Sequence, residues 1–179
     1  MRRLILLRHA KTERDSRSGQ DRDRQLDARG REDAPVIGDY LAEHDLVPDL
    51  VLVSPAARTR ETWQLMAASL KPPPAMEIVS PLYAADPSEL LQIIRMASGR
   101  SDDRSLRSMM VVAHNPGLHE LALGLIGKAK AADREALQEN LPTSGLAVFT
   151  FAIETWDDVS VRQGTLERFV TPRLLRENR

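Results

Sequence analysis

Three short apolar runs mark the chain at residues 4–7, 50–53 and 109–113. Each run is continuous rather than alternating, and each contains β-branched residues. Continuous runs of this length are typical of strands that are buried on both faces, as the strands of parallel sheets are. The pattern therefore predicts three interior parallel strands.

A helical pattern follows each of the three runs. Apolar side chains recur three or four positions apart and would form one stripe on each helix. The stripes are Ala34, Ile37, Leu41 and Ala42; Trp63, Met66, Ala67 and Leu70; and Leu118, Leu121, Ala122 and Leu125. Gly127 is a suitable end for the third helix. Pro35 leaves two alternatives for the first helix: it begins with Asp33 as its cap, or it is longer and kinked at the proline.

A fourth helix is predicted from its start signal. Asp86 can cap it, Pro87 can be its first residue, and Glu89 can complete a reciprocal capping box. Residues 71–76 (KPPPAM) are predicted to form a stiff surface connection, and residues 128–141 a short helix. Three later segments, residues 146–153, 159–162 and 166–170, are predicted to be antiparallel strands.

The alternation of strands and helices defines the fold class. It predicts an α/β fold in which helices cover both faces of an open, mostly parallel sheet with an antiparallel edge. The length of 179 residues fits a single domain over residues 1–179. Because sheets of this kind bind ligands beyond the carboxyl ends of their strands, the residues that follow the interior strands are the first candidates for chemistry.

The composition excludes several classes of protein. The formal net charge is -1, and no apolar stretch approaches the roughly 18 residues of a membrane span, so neither nucleic acid nor a membrane is an expected partner. The absence of cysteine rules out disulfides, a thiolate nucleophile and zinc–thiolate sites, and it favours a reducing compartment, the cytoplasm. The histidines lack metal-binding spacing. Neither a glycine-rich nucleotide-binding loop nor a GxSxG motif occurs.

Basic and imidazole side chains stand at the predicted strand ends. Arg8 and His9 follow the first strand, Ser54 and Arg58 follow the second, and His114 follows the third. Since the carboxyl ends of neighbouring parallel strands share one edge of a sheet, two guanidinium groups and two imidazoles are expected to converge there. A cluster of this charge calls for an anionic ligand.

Phosphate suits this cluster chemically. Arginine forks pair with phosphate oxygens and keep their charge, and backbone N–H groups at the following helix starts add donors. One histidine, kept neutral by the surrounding cations, can attack phosphorus through a free ring nitrogen, while the other can stay charged against the phosphate. Such a set can transfer a phosphoryl group without a metal or another cofactor. The residues alone leave open whether His9 or His114 attacks.

Each of these motifs also has a purely structural interpretation. Ser54 can serve as a turn or cap residue, and His114 as a polar turn residue. The joint occurrence of the motifs at the ends of three apolar strands is what favours a site. Four further residues need no role in a site: His44 and His119 are expected to face solvent or to make a local contact, and Trp63 and Trp156 to pack.

Three segments, LILLRHAK, SPAARTRET and VVAHNPGLHEL, resemble in order and spacing the signature segments of the histidine phosphatase superfamily, the phosphoglycerate-mutase-like proteins. The segments DRQLDARGREDA and GTLERFVTPRLL add a resemblance to its small SixA-type phosphohistidine phosphatases. The resemblance implies a three-layer α/β/α sandwich and no cofactor. It also implies that His9 is the nucleophile and becomes transiently phosphorylated. By the same resemblance, Arg8 and Arg58 bind the phosphate and His114 is a second histidine in contact with it.

One position departs from the family pattern. Many relatives carry a glutamate general acid where this chain has Ala84. Asp86 and Glu89 lie nearby as candidate acids, although a capping box explains both. Asp15 or Ser16, on the charged loop of residues 13–25, is a candidate pocket residue. A site poor in acid favours a leaving group that carries away its own proton, as the imidazole of phosphohistidine does.

The functional hypothesis follows from the resemblance and from the absence of the family's glutamate general acid. A small chain with no obvious lid implies an open site, which suits a phosphorylated side chain on another protein. The expected substrate is a phosphohistidine in a phosphorelay or phosphotransfer protein, such as a histidine-containing phosphotransfer domain, and the product is inorganic phosphate. Two alternatives stay open: a small-molecule phosphomonoesterase or phosphomutase of the same superfamily, and a non-catalytic phosphate-binding module.

Overall fold

The structure, a computed structural model, describes residues 1–99 and 105–178. Its strands are β1 (Arg2–Arg8), β2 (Leu50–Val53), β3 (Ala75–Ile78), β4 (Ser108–Ala113), β5 (Ile126–Ala129), β6 (Leu146–Phe151) and β7 (Gly164–Val170). Its helices are α1 (Ala28–Glu43), α2 (Ala57–Ala67), α3 (Pro87–Met96), α4 (Gly117–Leu125), α5 (Ala131–Glu139) and α6 (Pro172–Glu177). Short 3-10 turns connect several of these elements.

The strands form one sheet in the order β3-β2-β4-β1-β6-β7-β5. The pairs β3–β2, β2–β4, β4–β1 and β7–β5 are parallel, whereas β6 runs antiparallel to both of its neighbours, β1 and β7. The predicted α/β fold, with a mostly parallel sheet and antiparallel pairing towards one edge, is confirmed. The three predicted interior strands, β1, β2 and β4, lie side by side in the middle of this sheet.

The interior strands are apolar throughout because both of their faces are covered. In β1, Leu4 and Leu6 pack into one buried cluster with apolar residues of α3 and α4, such as Ile94. Ile5 and Leu7 point to the opposite face and pack into a second cluster with residues of α1 and α2, such as Met66. Alternate side chains of one strand thus pack into two cores, one on each face of the sheet. The protein is therefore the three-layer α/β/α sandwich that was predicted.

The helix starts resolve the open alternatives. α1 begins at Ala28, capped by Asp27, whose carboxylate accepts from the N–H of Gly30 at 2.8 Å. The longer helix is therefore the correct alternative, with Pro35 inside it, and Asp33 is not its cap. At α3 the predicted capping box is present, and its two reciprocal hydrogen bonds between Asp86 and Glu89 are both 2.8 Å long.

Two edge strands escape the sequence pattern. β3 begins within the segment that was predicted to be a connection, and β5 contains the glycine, Gly127, that was predicted to end α4. Each strand has a neighbour on one side only, and most of its residues are exposed or half-buried. Such strands need no continuous apolar run, which is why the pattern does not mark them.

The end of the chain also differs in part from the prediction. β6 and β7 fall within two of the predicted segments or extend them, but residues 159–162 form no strand. Instead, a 3-10 turn ends at Asp158, Val159 is buried in the core, and Arg162 has a positive φ of 61° that ends any extended run. α6 was not predicted, although its start, Thr171 followed by Pro172, is a recognisable cap signal.

Candidate active site

The polar residues of the three strand ends meet because β2, β4 and β1 are consecutive neighbours in the sheet. The hydrogen bonding to β4 continues past the last residues of β1 and β2. The N–H of His9 donates to the carbonyl of Ala113 at 3.2 Å, and the N–H of Ser54 donates to that of Val112 at 3.1 Å. The backbone therefore fixes the spacing of the three loops before any side chain contributes.

His9 is buried, and its ring is held in one tautomer. Its Nδ1 lies 2.8 Å from the carbonyl oxygen of Ala10. Since a carbonyl can only accept, Nδ1 must carry the proton, and the lone pair is left on Nε2. The backbone of Ala10 is fixed in turn, because its N–H donates to Thr62 Oγ1 at 2.9 Å.

The pKa of His9 is lowered from 6.5 to about 3, chiefly because burial penalises the imidazolium. The hydrogen bond to Ala10 acts in the opposite direction, whereas His114, Arg58 and Arg8 lower the pKa further by electrostatic repulsion. The ring is therefore neutral near pH 7 and keeps a free electron pair. These are the properties that a nitrogen nucleophile requires.

The two arginines lie at the same edge. Arg8 closes β1, and its Nη1 donates to the carbonyl of Leu141 at 3.2 Å. Arg58 stands in the first turn of α2, which begins almost directly after β2, and its side chain is buried. Burial, followed by the charge of Arg58, lowers the pKa of Arg8, so the two cations are close enough to repel each other.

His114 follows β4 and faces His9, with a distance of 5.4 Å between the ring centroids. Its Nε2 lies 2.7 Å from Ser54 Oγ, which gives Ser54 a contact in the site as well as its place in the turn. Burial, followed by the charge of Arg58, lowers the pKa of His114 to about 4, while Asp21 acts to raise it. Both histidines are therefore neutral near pH 7, and a phosphate dianion beside His114 would raise its pKa.

Buried nitrogen atoms without a hydrogen-bond partner among the described residues collect at this site. They include Nε of Arg8, Nε of Arg58 and Nδ1 of His114. A buried donor that stays unpaired costs free energy, which a tetrahedral oxyanion with several acceptor oxygens would recover. The donor set therefore fits phosphate.

The four other candidate residues from the sequence, Asp15, Ser16, Asp86 and Glu89, lie outside the cluster of histidines and arginines. Asp15 and Ser16 line a surface hollow of about 370 Å³. The Ser16 hydroxyl donates to the carbonyl of Gln20 at 2.7 Å. Asp86 and Glu89 are occupied with each other in the capping box of α3. The structure gives neither of these two carboxylates a contact with the histidines.

Two contacting residues were missed by the sequence analysis. Asp21 accepts from Arg58 at 3.0 Å, and it accepts from the hydroxyl of Tyr83 at 2.7 Å. The ring of Tyr83 stands edge-on to that of His114, with 5.7 Å between centroids. The sequence analysis took its candidate pocket residues, Asp15 and Ser16, from the loop of residues 13–25. No local signal distinguishes Asp21 from the other aspartates of that loop.

The residues that were predicted to make local contacts or to pack do so. Nδ1 of His44 bonds the carbonyl of Tyr40 at 2.9 Å, and Nε2 of His119 bonds that of Leu137 at 2.6 Å. Trp63 and Trp156 are buried in the core.

Residues 1–99 and 105–178 show neither a metal-ion cluster nor a membrane-spanning helix. They contain no group of three or more histidine, cysteine, aspartate or glutamate side chains placed to hold a metal ion. Nor is any helix in those ranges long and apolar enough to cross a membrane.

The lowered histidine pKa values predict a stability that falls in acid. Well above pH 6.5 both imidazoles are neutral whether the chain is folded or unfolded. At lower pH, His9 and His114 become protonated in the unfolded chain but stay neutral in the folded protein. This difference lasts until the pH approaches their folded pKa values of about 3 and about 4. The free energy of unfolding should therefore fall as the pH falls, which urea unfolding at about pH 7 and about pH 5 measures.

A pair of single variants identifies the source of that fall. His9→Asn should lose less stability than the wild type between the two pH values, since it lacks one of the two histidines that are protonated only in the unfolded chain. His44→Asn replaces an exposed histidine and should lose as much as the wild type. Equal losses in His9→Asn and the wild type would show that the pKa of His9 is not lowered.

Sequence relatives cover most of the chain. The family model described as histidine phosphatase superfamily (branch 1) matches residues 4–79. An uncharacterized protein of Mycobacterium tuberculosis is 32% identical over 155 residues, which are 86% of this chain and 92% of that protein. An uncharacterized chloroplast protein of Arabidopsis thaliana is 32% identical over 144 residues, which are 76% of this chain and 66% of that protein.

Solved structures agree with the sequence relatives. A structure from Agrobacterium tumefaciens, assigned as the phosphohistidine phosphatase SixA, has a TM-score of 0.76 and 31% identity and covers 96% of this chain and 99% of its own. The protein histidine phosphatase SixA complexed with tungstate has a TM-score of 0.73 and 20% identity, with 97% and 99% covered, and shares the fold. The chain therefore belongs to the histidine phosphatase superfamily, in its SixA-type branch. Its enzymatic class is that of a phosphatase.

Proposed function

We propose that the protein removes the phosphoryl group from phosphohistidine on another protein, without a metal, through a phosphorylated His9. The observation that carries the proposal is the state of the His9 ring. It is buried and neutral, its Nδ1–H is held by Ala10, and its Nε2 is free, beside two arginines whose charge is permanent. A neutral nitrogen within a cationic pocket is suited to attack a phosphoryl group.

The reaction would proceed in two steps. In the first, Nε2 of His9 forms a bond to phosphorus as the bond between phosphorus and the substrate's imidazole breaks. The substrate ring carries a proton on its other nitrogen and leaves as neutral imidazole, while Arg8 and Arg58 neutralise the equatorial oxygens. In the second, water attacks phosphorus, the bond to His9 breaks, and inorganic phosphate leaves. His114 would contact the phosphoryl oxygens, and its pKa would rise as their charge approaches.

The carboxylate that contacts the site, that of Asp21, is a poor proton donor. The pKa of Asp21 is lowered to about 2, chiefly by the hydrogen bond from Tyr83 and also by Arg58, so Asp21 is ionised near pH 7. The same contact raises the pKa of Tyr83, and Asp86 and Glu89 are held in their capping box. A general acid typically contributes about 10²–10⁴-fold. Imidazole needs that help less than an alkoxide does, because its conjugate acid has a pKa near 6.5.

A macromolecular substrate is supported by the surroundings of the pocket. The loop of residues 13–25 beside it is largely exposed, and Asp21, which contacts the buried Arg58, is itself 55% exposed. A phosphorylated side chain of another protein could enter from this side. A structural neighbour is named a protein histidine phosphatase, which supports the same substrate class. A cytoplasmic phosphorelay is the setting that we propose.

A substrate panel in the presence of a chelator tests the proposal. It should contain phosphohistidine in a carrier domain, phosphoserine in a peptide, a sugar phosphate and an aryl phosphate. We expect kcat/KM for phosphohistidine to exceed that for phosphoserine by about 10²-fold or more, which is the size of a missing acid. The chelator should have no effect.

Each of the other results contradicts a distinct part of the proposal. Comparable turnover of phosphoserine and phosphohistidine would contradict the substrate class, and a sugar phosphate as the best substrate would favour a small-molecule phosphatase. Phosphate binding without turnover of any substrate would favour a binding module. Inactivation by the chelator would contradict the metal-independent mechanism.

A further inference from the structure

Arg58 is buried, but a residue of the exposed loop holds it. Its Nη1 donates to the backbone carbonyl of Asp21 at 2.8 Å, and its Nη2 donates to Oδ2 of the same residue at 3.0 Å. Two acceptors of one residue thus bind two different nitrogen atoms of one planar group. This arrangement fixes both the position of the guanidinium group and its rotation.

The remaining donors of Arg58 are the ones that phosphate would need. A guanidinium group has five N–H bonds in one plane. Asp21 uses one on each terminal nitrogen, so one on each of them remains, together with the Nε–H, which is buried and has no partner among the described residues. We infer that Asp21 is the positioning residue of Arg58 and sets the plane of its fork for the phosphoryl oxygens. This inference rests on the proposed function and assigns a role within it.

The carboxylate of Asp21 is itself held in place although it is exposed. The Tyr83 hydroxyl donates to Oδ2 at 2.7 Å, and Nε of Arg24 donates to Oδ1 at 3.0 Å. Tyr83 is also in edge contact with His114 and lies under Arg22, whose guanidinium carbon is 5.7 Å from the ring centroid. The loop therefore joins Arg58 to the wall of the pocket on the His114 side.

Two effects of Asp21 oppose each other. Its negative charge repels a phosphoryl group, but a side chain that is 55% exposed is well screened by water. Its hydrogen bonds hold the side chain of Arg58, which is only 7% exposed. A buried charge that loses its partner is strongly destabilised, so the guanidinium group would move towards another acceptor. The loss of orientation should therefore outweigh the gain in attraction when Asp21 is removed.

The first test reads the guanidinium group directly and needs no turnover. In the wild type, NMR of the labelled Arg58 side chain should show slow rotation about the Cζ–Nε bond and separate terminal N–H signals. In Asp21→Ala these signals should merge, whereas Asp23→Ala should leave them separate, because the Asp23 carboxylate accepts from Ser18 instead. Unchanged Arg58 signals in Asp21→Ala would overturn the inference even if the protein proved to have no activity.

The second test is a double-mutant cycle on the rate of phosphoryl transfer to His9 in a single turnover. Asp21→Ala should slow this step about 10- to 100-fold, as a small misplacement of a binding group does. Asp21→Asn, which keeps a neutral acceptor, should lose less. In an Arg58→Ala background, Asp21→Ala should change the rate by less than about 2-fold, because the effect acts through Arg58.

The outcomes separate this inference from the proposed function. An equal loss in both backgrounds would show that Asp21 does not act through Arg58, and a faster reaction would show that the carboxylate is a brake. Either result, or an unchanged rate, overturns the inference while leaving His9 as the nucleophile. If the wild type forms no phosphorylated His9, the proposed function fails, and the NMR measurement still decides whether Asp21 positions Arg58.

Discussion

Asparagine in place of His9 is expected to slow the hydrolysis of protein-bound phosphohistidine by about 10⁴-fold or more, which is the scale of loss when a nucleophile is removed. Asparagine is close to histidine in size, and its amide can still donate to the carbonyl of Ala10, the partner of His9 Nδ1. It cannot supply the lone pair that Nε2 offers. Steady-state release of phosphate at about pH 7 measures the loss, and a thermal melt checks that the variant is folded.

Two matched variants complete that measurement. His44→Asn makes the same change at an exposed histidine that bonds its own helix, and it should keep the activity of the wild type. His114→Asn should lose activity but still accept a phosphoryl group on His9. If folded His9→Asn keeps activity within about tenfold of the wild type, the nucleophile is another residue.

The second large effect is expected at Arg58. Arg58→Ala should lower kcat/KM for phosphohistidine by about 10²–10³-fold, as the loss of one oriented donor to a developing oxyanion does. Arg58→Lys should recover little, because an ammonium group cannot bind two oxygens with a planar fork. Since Arg58 lowers the pKa of both His9 and His114 by its charge, its removal should also move the acid limb of the pH–rate profile to higher pH.

Arg60 provides the control for that result, because it lies on the same helix and is exposed. Arg60→Ala should change kcat/KM by less than about 2-fold, in line with the small worth of exposed charges. Full recovery of activity in Arg58→Lys would show that Arg58 acts only through its charge. An acid limb that stays in place in Arg58→Ala would mean that its guanidinium group does not interact with the histidines as the structure indicates.

The interior of the fold could be read from the sequence because its physical requirement is local. A strand buried on both faces must be apolar at every position, and residues 4–7, 50–53 and 109–113 are. β3 and β5 could not be found in this way, since edge strands are partly exposed and carry no continuous apolar run. Likewise, the positive φ angle of Arg162 prevents the strand that was predicted at residues 159–162. Arginine is not a residue type from which a positive φ could be predicted.

The candidate site, too, could be predicted from the sequence only in part. Arg8, His9, Arg58 and His114 follow strands that the sequence identifies, and parallel topology brings strand ends together. The choice of His9 Nε2 as the attacking atom needs the contact with the carbonyl of Ala10, and backbone contacts of that kind leave no trace in sequence. The contact of Asp21 with Arg58 spans 37 positions and depends on how the loop folds back.

The most direct test of the account is to find where the phosphoryl group resides on the enzyme. A brief reaction with phosphohistidine in a carrier domain, followed by rapid denaturation in base, would preserve a phosphoramidate for mass spectrometry and ³¹P NMR. We expect phosphate on Nε2 of His9, because Nδ1 carries the proton that Ala10 accepts. Phosphate on Nδ1 of His9, on His114 or on neither histidine would contradict it.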